Sequence, residues 1–228
     1  MQKIIPHLLS LWFMVVLMGN LPQGSDQQLK TYLALGDSYT IGESVEEEMR
    51  WPNQLVRILR RSGLPLENPH IVAQTGWTTD ELLVAIESAG IKNHYDYVSL
   101  LIGVNNQYRG RSVDSFMPEF TSLLERAIAI SKNKTKGVFV LSIPDWGVMP
   151  FAQGRDRKKI ATEIAAYNAA IKAICERYEV AFFDITPISR EALSNATYVA
   201  NDQLHPSAAM YSAWVDKVIP FFNTAQND

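Results

Sequence analysis

From residue 31 onward the chain alternates short apolar runs with longer stretches of helical periodicity. The runs at 31–35, 70–73, 97–102, 137–143 and 180–184 are bounded by Gly, Pro or polar residues and read as buried strands. The third, Tyr97 to Ile102, is almost continuously apolar, as a central parallel strand covered on both faces should be. Between the runs, apolar residues recur at three- and four-residue spacing. They are Leu55, Ile58 and Leu59; Leu82, Leu83 and Ile86; Phe116, Phe120, Leu123, Leu124 and Ala127; and Ile160, Ile164, Ile171 and Cys175.

Boundary signals agree with this pattern. Trp51-Pro52 opens a helix that Gly63 ends, because proline suits the first helical position and glycine the left-handed exit. Thr78 or Thr79 caps the next helix, with Glu81 in its first turn. A long helix spans about 157–178, and a last one starts at Pro206 and runs to about Phe222. Five strands separated by helices, each crossover long enough to be right-handed, predict an α/β fold: a five-stranded parallel sheet with helices on both faces. Strand order is not legible in periodicity.

The amino terminus has a different pattern. Lys3 precedes a mostly apolar run at 8–19, followed by a helix-breaking stretch at 20–25. This is the form of a secretory signal, and the run is short against the roughly 20 residues of a membrane span. No clean Ala-x-Ala is present, so cleavage after Gly19 or near Gly24 are both open, as is an uncleaved anchor. The expectation is a signal over 1–25, one domain over 26–228, export to the periplasm or outside the cell, and no membrane span in the mature chain. The full length of 228 residues suits one such domain. A net charge of −3 without any basic stripe argues against nucleic acid as a partner. Cys175 has no second cysteine to pair with, which excludes an internal disulfide and a multi-thiolate metal site. Its place on an apolar helix face makes it a core residue.

Candidate chemistry collects where strands end. In an open parallel sheet, ligand sites lie outside the carboxyl ends of the strands. Ser38 follows the first strand, Gly76 the second and Asn105 the third, while Asp202 and His205 stand just before the last helix. A serine hydroxyl needs a base to take its proton. Of the four histidines, His7 lies in the signal, and His70 and His94 sit at strand entries, on the far edge. His205 remains. Asp202, three residues earlier, is spaced to hold the ring Nδ1 while Nε2 faces the serine. The Ser38 amide, the Gly76 amide and the Asn105 side-chain amide are candidate oxyanion donors. Glycine at 76 would keep a side chain from crowding the substrate.

Gly36-Asp-Ser38, Gly76, Gly103-Val-Asn105 and Asp202-x-x-His205 together resemble the four signature blocks of the SGNH (GDSL-type) hydrolases. The resemblance implies a flavodoxin-like three-layer α/β/α sandwich. It also implies a carboxylic-ester hydrolase with Ser38 as nucleophile, His205 as base and Asp202 as orienting acid. Ser38, Gly76 and Asn105 are then the oxyanion hole, with no metal or organic cofactor. Two positions depart from the pattern: Tyr39 replaces the name-giving leucine and Asn106 the usual aspartate. Neither removes a catalytic atom, but Asn106 changes whatever bond that aspartate makes to neighbouring loops. Asp37 is expected to pair with backbone amides rather than act as a base.

Tyr39, Trp77 and Trp146 are the candidate substrate contacts, forming an apolar wall with Met149-Pro-Phe151. The same aromatics equally well cover the sheet edge. Arg109 and Arg111, close after Asn105, are placed to meet an anionic substrate but read rather as solvated, as do Glu43, Glu46, Glu47 and Glu48 in an acidic loop. The substrate class is a small-molecule, glycan or lipid ester. The competing reading is a non-catalytic carbohydrate- or lipid-binding protein on the same fold. A G-x-S-x-G elbow and the phosphate-binding glycine loops are absent.

Overall fold

The computed structural model describes residues 28–91 and 94–224. Strand β1 (Tyr32–Gly36) runs into a one-turn helix α1 (Ser38–Ile41), and α2 (Trp51–Arg61) leads to β2 (His70–Ala73). Helix α3 (Thr79–Ser88), β3 (Tyr97–Leu101), the short α4 (Val104–Tyr108) and α5 (Val113–Ile130) follow. The second half comprises β4 (Val138–Leu141), α6 (Arg157–Arg177), β5 (Ala181–Phe183), α7 (Thr186–Arg190), α8 (Ala208–Val218) and α9 (Pro220–Thr224). The apolar amino-terminal run read as a signal lies outside the described residues.

All strand pairs are parallel, in the order β2-β1-β3-β4-β5. Burial explains why the apolar runs differ in strength. The three central strands are buried at every residue, whereas β2 and β5, at the edges, are only partly covered. Helix α2 packs against α8 on one face; α3, α5 and α6 pack together on the other. This is the three-layer, flavodoxin-like sandwich. Its strand order reverses between β1 and β3, and the crevice at that switch point is where such sheets hold ligands.

Two details differ from the sequence pattern. The last helix does not begin at Pro206. Pro206 instead pairs with Val199 in an isolated antiparallel bridge, and Ser207 caps α8 by accepting from the Ala209 and Met210 amides. Nor is the helix continuous to Phe222: Pro220, which has no amide proton to donate, separates α8 from α9. Cys175 is fully buried, and burial pushes its thiol up to about 12, which makes it an inert core residue.

Candidate active site

The turn that presents Ser38, the candidate nucleophile, is set by close packing. A Cβ at Gly36 would lie 2.2 Å from Thr40 Oγ1 and 2.5 Å from the Leu101 carbonyl, so only glycine lets β1 turn this tightly against β3. The chain then enters α1 with Asp37 as cap, its carboxylate accepting from the Tyr39 amide at 3.0 Å. Asp37 is thus a structural cap, as its expected role required. Its other oxygen has no hydrogen-bond partner among the described residues, and burial pushes its carboxyl up to about 7 against that amide bond. Ser38 stands at the first helical position, where an amide has no intrahelical acceptor.

Asp202 and His205 form a compact loop with Gln203 in the left-handed region at φ 65°. One Asp202 oxygen accepts the Leu204 and His205 amides, each at 2.9 Å, and the other meets His205 Nδ1 at 2.6 Å. Ser44 Oγ donates to that second oxygen at 2.7 Å. Burial opposes the charge on Asp202, but the His205 amide, the Ser44 hydroxyl, the His205 ring and the Leu204 amide outweigh it. Together they hold the carboxyl well below the usual carboxylate range. A carboxylate at Nδ1 keeps the proton there and leaves Nε2 as the basic nitrogen. Tyr39 packs edge-on to the imidazole at 5.8 Å and is itself backed by Trp214.

Ser38, Gly76, Asn105 and His205 line one cavity of about 230 Å³. Its walls are otherwise mostly apolar and include Tyr39, Val104, Tyr108, Trp146 and Phe151. Among the described residues no hydrogen bond joins His205 to Ser38; such contacts are commonly long until substrate binds. His70 and His94 lie at the amino ends of their strands, far from this cavity in the sheet, with His70 Nδ1 against the Tyr95 hydroxyl at 2.5 Å.

The side of the cavity that carries the candidate oxyanion donors is made by loops that hold each other. Gly76 has φ 88°, and a Cβ there would meet only an Arg109 nitrogen, 4.0 Å away. The left-handed backbone, not crowding by a neighbour, is what the structure itself gives as the reason for glycine. Arg109 donates to the Gly76 carbonyl at 2.6 Å and pairs with Glu81 at 3.2 Å, while Arg111 pairs with Asp80 at 2.7 Å. Both arginines keep contact with solvent, as expected, and in addition tie α3 to the chain after β3. The Asn105 side-chain amide donates to the Trp77 carbonyl at 2.9 Å, leaving a second hydrogen for the cavity. Asn106, where an aspartate is usual, is fully buried. Its oxygen accepts the Thr79 amide at 3.1 Å, and its nitrogen donates to Thr79 Oγ1 at 2.7 Å and to Glu119 at 3.4 Å. Asn106 thus ties its loop to the start of α3, with the Glu119 carboxylate beside it.

The candidate substrate contacts divide. Tyr39 and Trp146 face the cavity, but Trp77 does not; it lies on a separate groove with Val84 and Ala85 of α3, because the Gly76 turn carries it past the rim. Trp146 is oriented from behind: its indole donates to Gln107 at 2.8 Å, and Gln107 donates to Glu163. The acidic loop is not purely solvated either, since Glu43 accepts a hydrogen bond from Thr75 beside Gly76. Pattern reading missed Ser44, Tyr108 and Leu204. Tyr108 had a faint signal, one helical turn after Asn105; Ser44 had none, because its partner is 158 residues away.

Fold and site define a class: a flavodoxin-like α/β/α sandwich in which a serine, an acid-held imidazole, Gly76 and Asn105 line one cavity. The chain belongs to the GDSL-like lipase/acylhydrolase family, whose profile matches residues 34–213, from β1 into α8. Among solved structures it is similar to TesA, with 19% identity, a TM-score of 0.65, and coverage of 84% of this chain and 97% of that one. The psychrotrophic esterase EstA from Pseudoalteromonas sp. aligns at 17% identity and TM-score 0.62, over 87% of this chain and 100% of that one. The acetylxylan esterase Axe2 from Geobacillus stearothermophilus aligns at 20% identity and TM-score 0.61, over 84% and 93%. Identities this low carry the fold. Comparison with curated protein sequences finds no match.

Proposed function

We propose that this protein hydrolyses small carboxylic esters through an acyl-serine intermediate. Ser38 Oγ attacks the ester carbonyl as its proton passes to His205 Nε2, and Asp202 stabilises the imidazolium that forms. The carbonyl oxygen becomes an oxyanion, received by the Ser38 amide, the Gly76 amide and the Asn105 side-chain amide. Collapse breaks the ester C–O bond, and the alkoxide leaves with the His205 proton. Water, deprotonated by the same ring, then releases the acid and regenerates Ser38. The observation that carries this reading is the Asp202–His205 pair at 2.6 Å, opening on the cavity that Ser38 lines.

The cavity, about 230 Å³, is smaller than the roughly 300–1,000 Å³ of sites for drug-sized ligands. It suits a short acyl group. In the same reading residues 1–25 direct export of the domain at 26–228. No helix among the described residues is long and apolar enough to cross a membrane.

Hydrolysis of 4-nitrophenyl acetate and butyrate tests the proposal. Turnover should fall by at least about 10³-fold in Ser38→Ala. A wild-type protein inert toward these esters, acetylated sugars and lipid esters would instead favour the non-catalytic binding reading.

A further inference from the structure

Against the aromatic wall of the cavity, outside its lining, lies a cation that the hydrolytic steps do not use. Arg155 follows Gly154, a left-handed turn at φ 80°, and its guanidinium carbon lies 5.4, 5.4 and 5.0 Å from the ring centroids of Tyr108, Trp146 and Phe151. All three rings line the same cavity as Ser38. Nη2 donates to the Tyr108 hydroxyl at 3.2 Å, so one of five N–H donors is engaged with a side chain. Stacking on aromatic faces holds a guanidinium in place without neutralising it.

Among the described residues no carboxylate pairs with Arg155. It shares this with Arg157, which donates to the Met149 carbonyl, but differs from three other arginines of the same half of the sheet rim. Arg109 has Glu81, Arg111 has Asp80, and Arg190 has Asp145. The acids in Arg155's own segment are committed elsewhere. Asp156 caps α6 by accepting the Lys159 amide at 2.9 Å, and Glu163 takes Gln107 at 2.7 Å. The chain as a whole is acidic, with a net charge of −3, so an anion finds no general attraction to its surface. A positive group fixed beside the catalytic cavity is therefore a local selector.

We infer that Arg155 selects esters bearing a carboxylate on the part of the substrate that passes the Tyr108–Trp146–Phe151 wall. A carboxylate matches the guanidinium fork in a bidentate pair, whereas a neutral ester leaves those donors to water. This inference rests on the ester-hydrolase reading above.

Two substrate pairs test it, because the anion sits on the acyl side in one and on the alcohol side in the other. The first is mono-4-nitrophenyl succinate against its methyl ester; the second is 4-acetoxybenzoate against methyl 4-acetoxybenzoate. In at least one pair the anionic member should have kcat/KM about fivefold higher, as an exposed but well-oriented pair allows. That ratio should fall to about one in Arg155→Met and lie between the two values in Arg155→Lys, which keeps the charge but loses the planar fork. In the wild type alone, raising salt from about 20 mM to about 500 mM should lower the ratio, since exposed charges are screened. Equal rates in both pairs, a preference that survives Arg155→Met, or a preference indifferent to salt each overturn the role of Arg155 while leaving the hydrolase standing. Absence of turnover on the neutral members as well overturns the hydrolase reading first, and this one with it.

Discussion

The two ends of the candidate site are built differently. The acid–base end is local: within four consecutive residues Asp202 accepts two amides and holds the His205 ring, and Ser44 adds one distant tether. The proposed oxyanion end is assembled across the chain. Gly76 is held by Arg109, Asn105 holds Trp77, and Asn106 holds Thr79, over separations of 33, 28 and 27 residues. A local loop needs little from the fold beyond a place to stand. Amide donors that must converge on a point in space depend on two loops gripping each other.

Substitutions can break this contrast. The largest effect is expected from the acid–base end: His205→Ala should lower kcat by at least about 10³-fold, as loss of a triad base does. A near-normal rate would move the base elsewhere. Next, Asn105→Ala should cost about 10²–10³-fold in kcat with little change in KM. An effect confined to KM would make Asn105 a substrate contact instead of an oxyanion donor.

The tethers sharpen the comparison further. Ser44→Ala and Arg109→Ala should each lower kcat about tenfold, one by loosening Asp202 and the other by freeing the Gly76 loop. Because they serve different ends, their effects in the double variant should add to within about 0.5 kcal/mol, whereas Arg109→Ala combined with Asn105→Ala should be clearly non-additive. Strong coupling between Ser44 and Arg109 would mean the two ends are one unit.

The smallest expected effect concerns Asp37, which sits beneath Ser38. Burial pushes its carboxyl up to about 7, with the Tyr39 amide bond working the other way. An unfolded-chain aspartate titrates near about 4. Between those values the folded protein holds a proton that the unfolded chain has lost, so this group makes stability fall as pH rises through the window. Asp37→Asn keeps the acceptor for Tyr39 and removes the titration. Its Tm advantage over wild type should therefore grow between about pH 4.5 and pH 7.5, and a constant difference in thermal melts would contradict the burial argument.

Much of the fold was legible because burial leaves a mark on composition. Residues 97–102 read as a central strand, and β3 is buried on both faces between β1 and β4. Thr78 with Glu81 read as a helix start, and the capping box is present. Pro206 misled, because proline before a helix can belong to the bridge that precedes the cap, and here Ser207 does the capping. Trp77 misled for a related reason: an aromatic after a strand is at the rim, but a left-handed turn decides which side of the rim it covers. Arg109 and Arg111 read as solvated because their acids lie about 30 residues earlier, on another helix.

By itself the sequence determined the layered α/β architecture, the candidate nucleophile and the acid–imidazole loop. Strand burial, helix caps and a four-residue loop are all written in neighbouring residues. Only the tertiary structure decided which loops brace one another, that Ser44 reaches Asp202, and that Arg155 lies against the aromatic wall with no carboxylate partner among the described residues. Those contacts join segments far apart in the chain, and their partners become neighbours only once the parallel sheet has set its strand order.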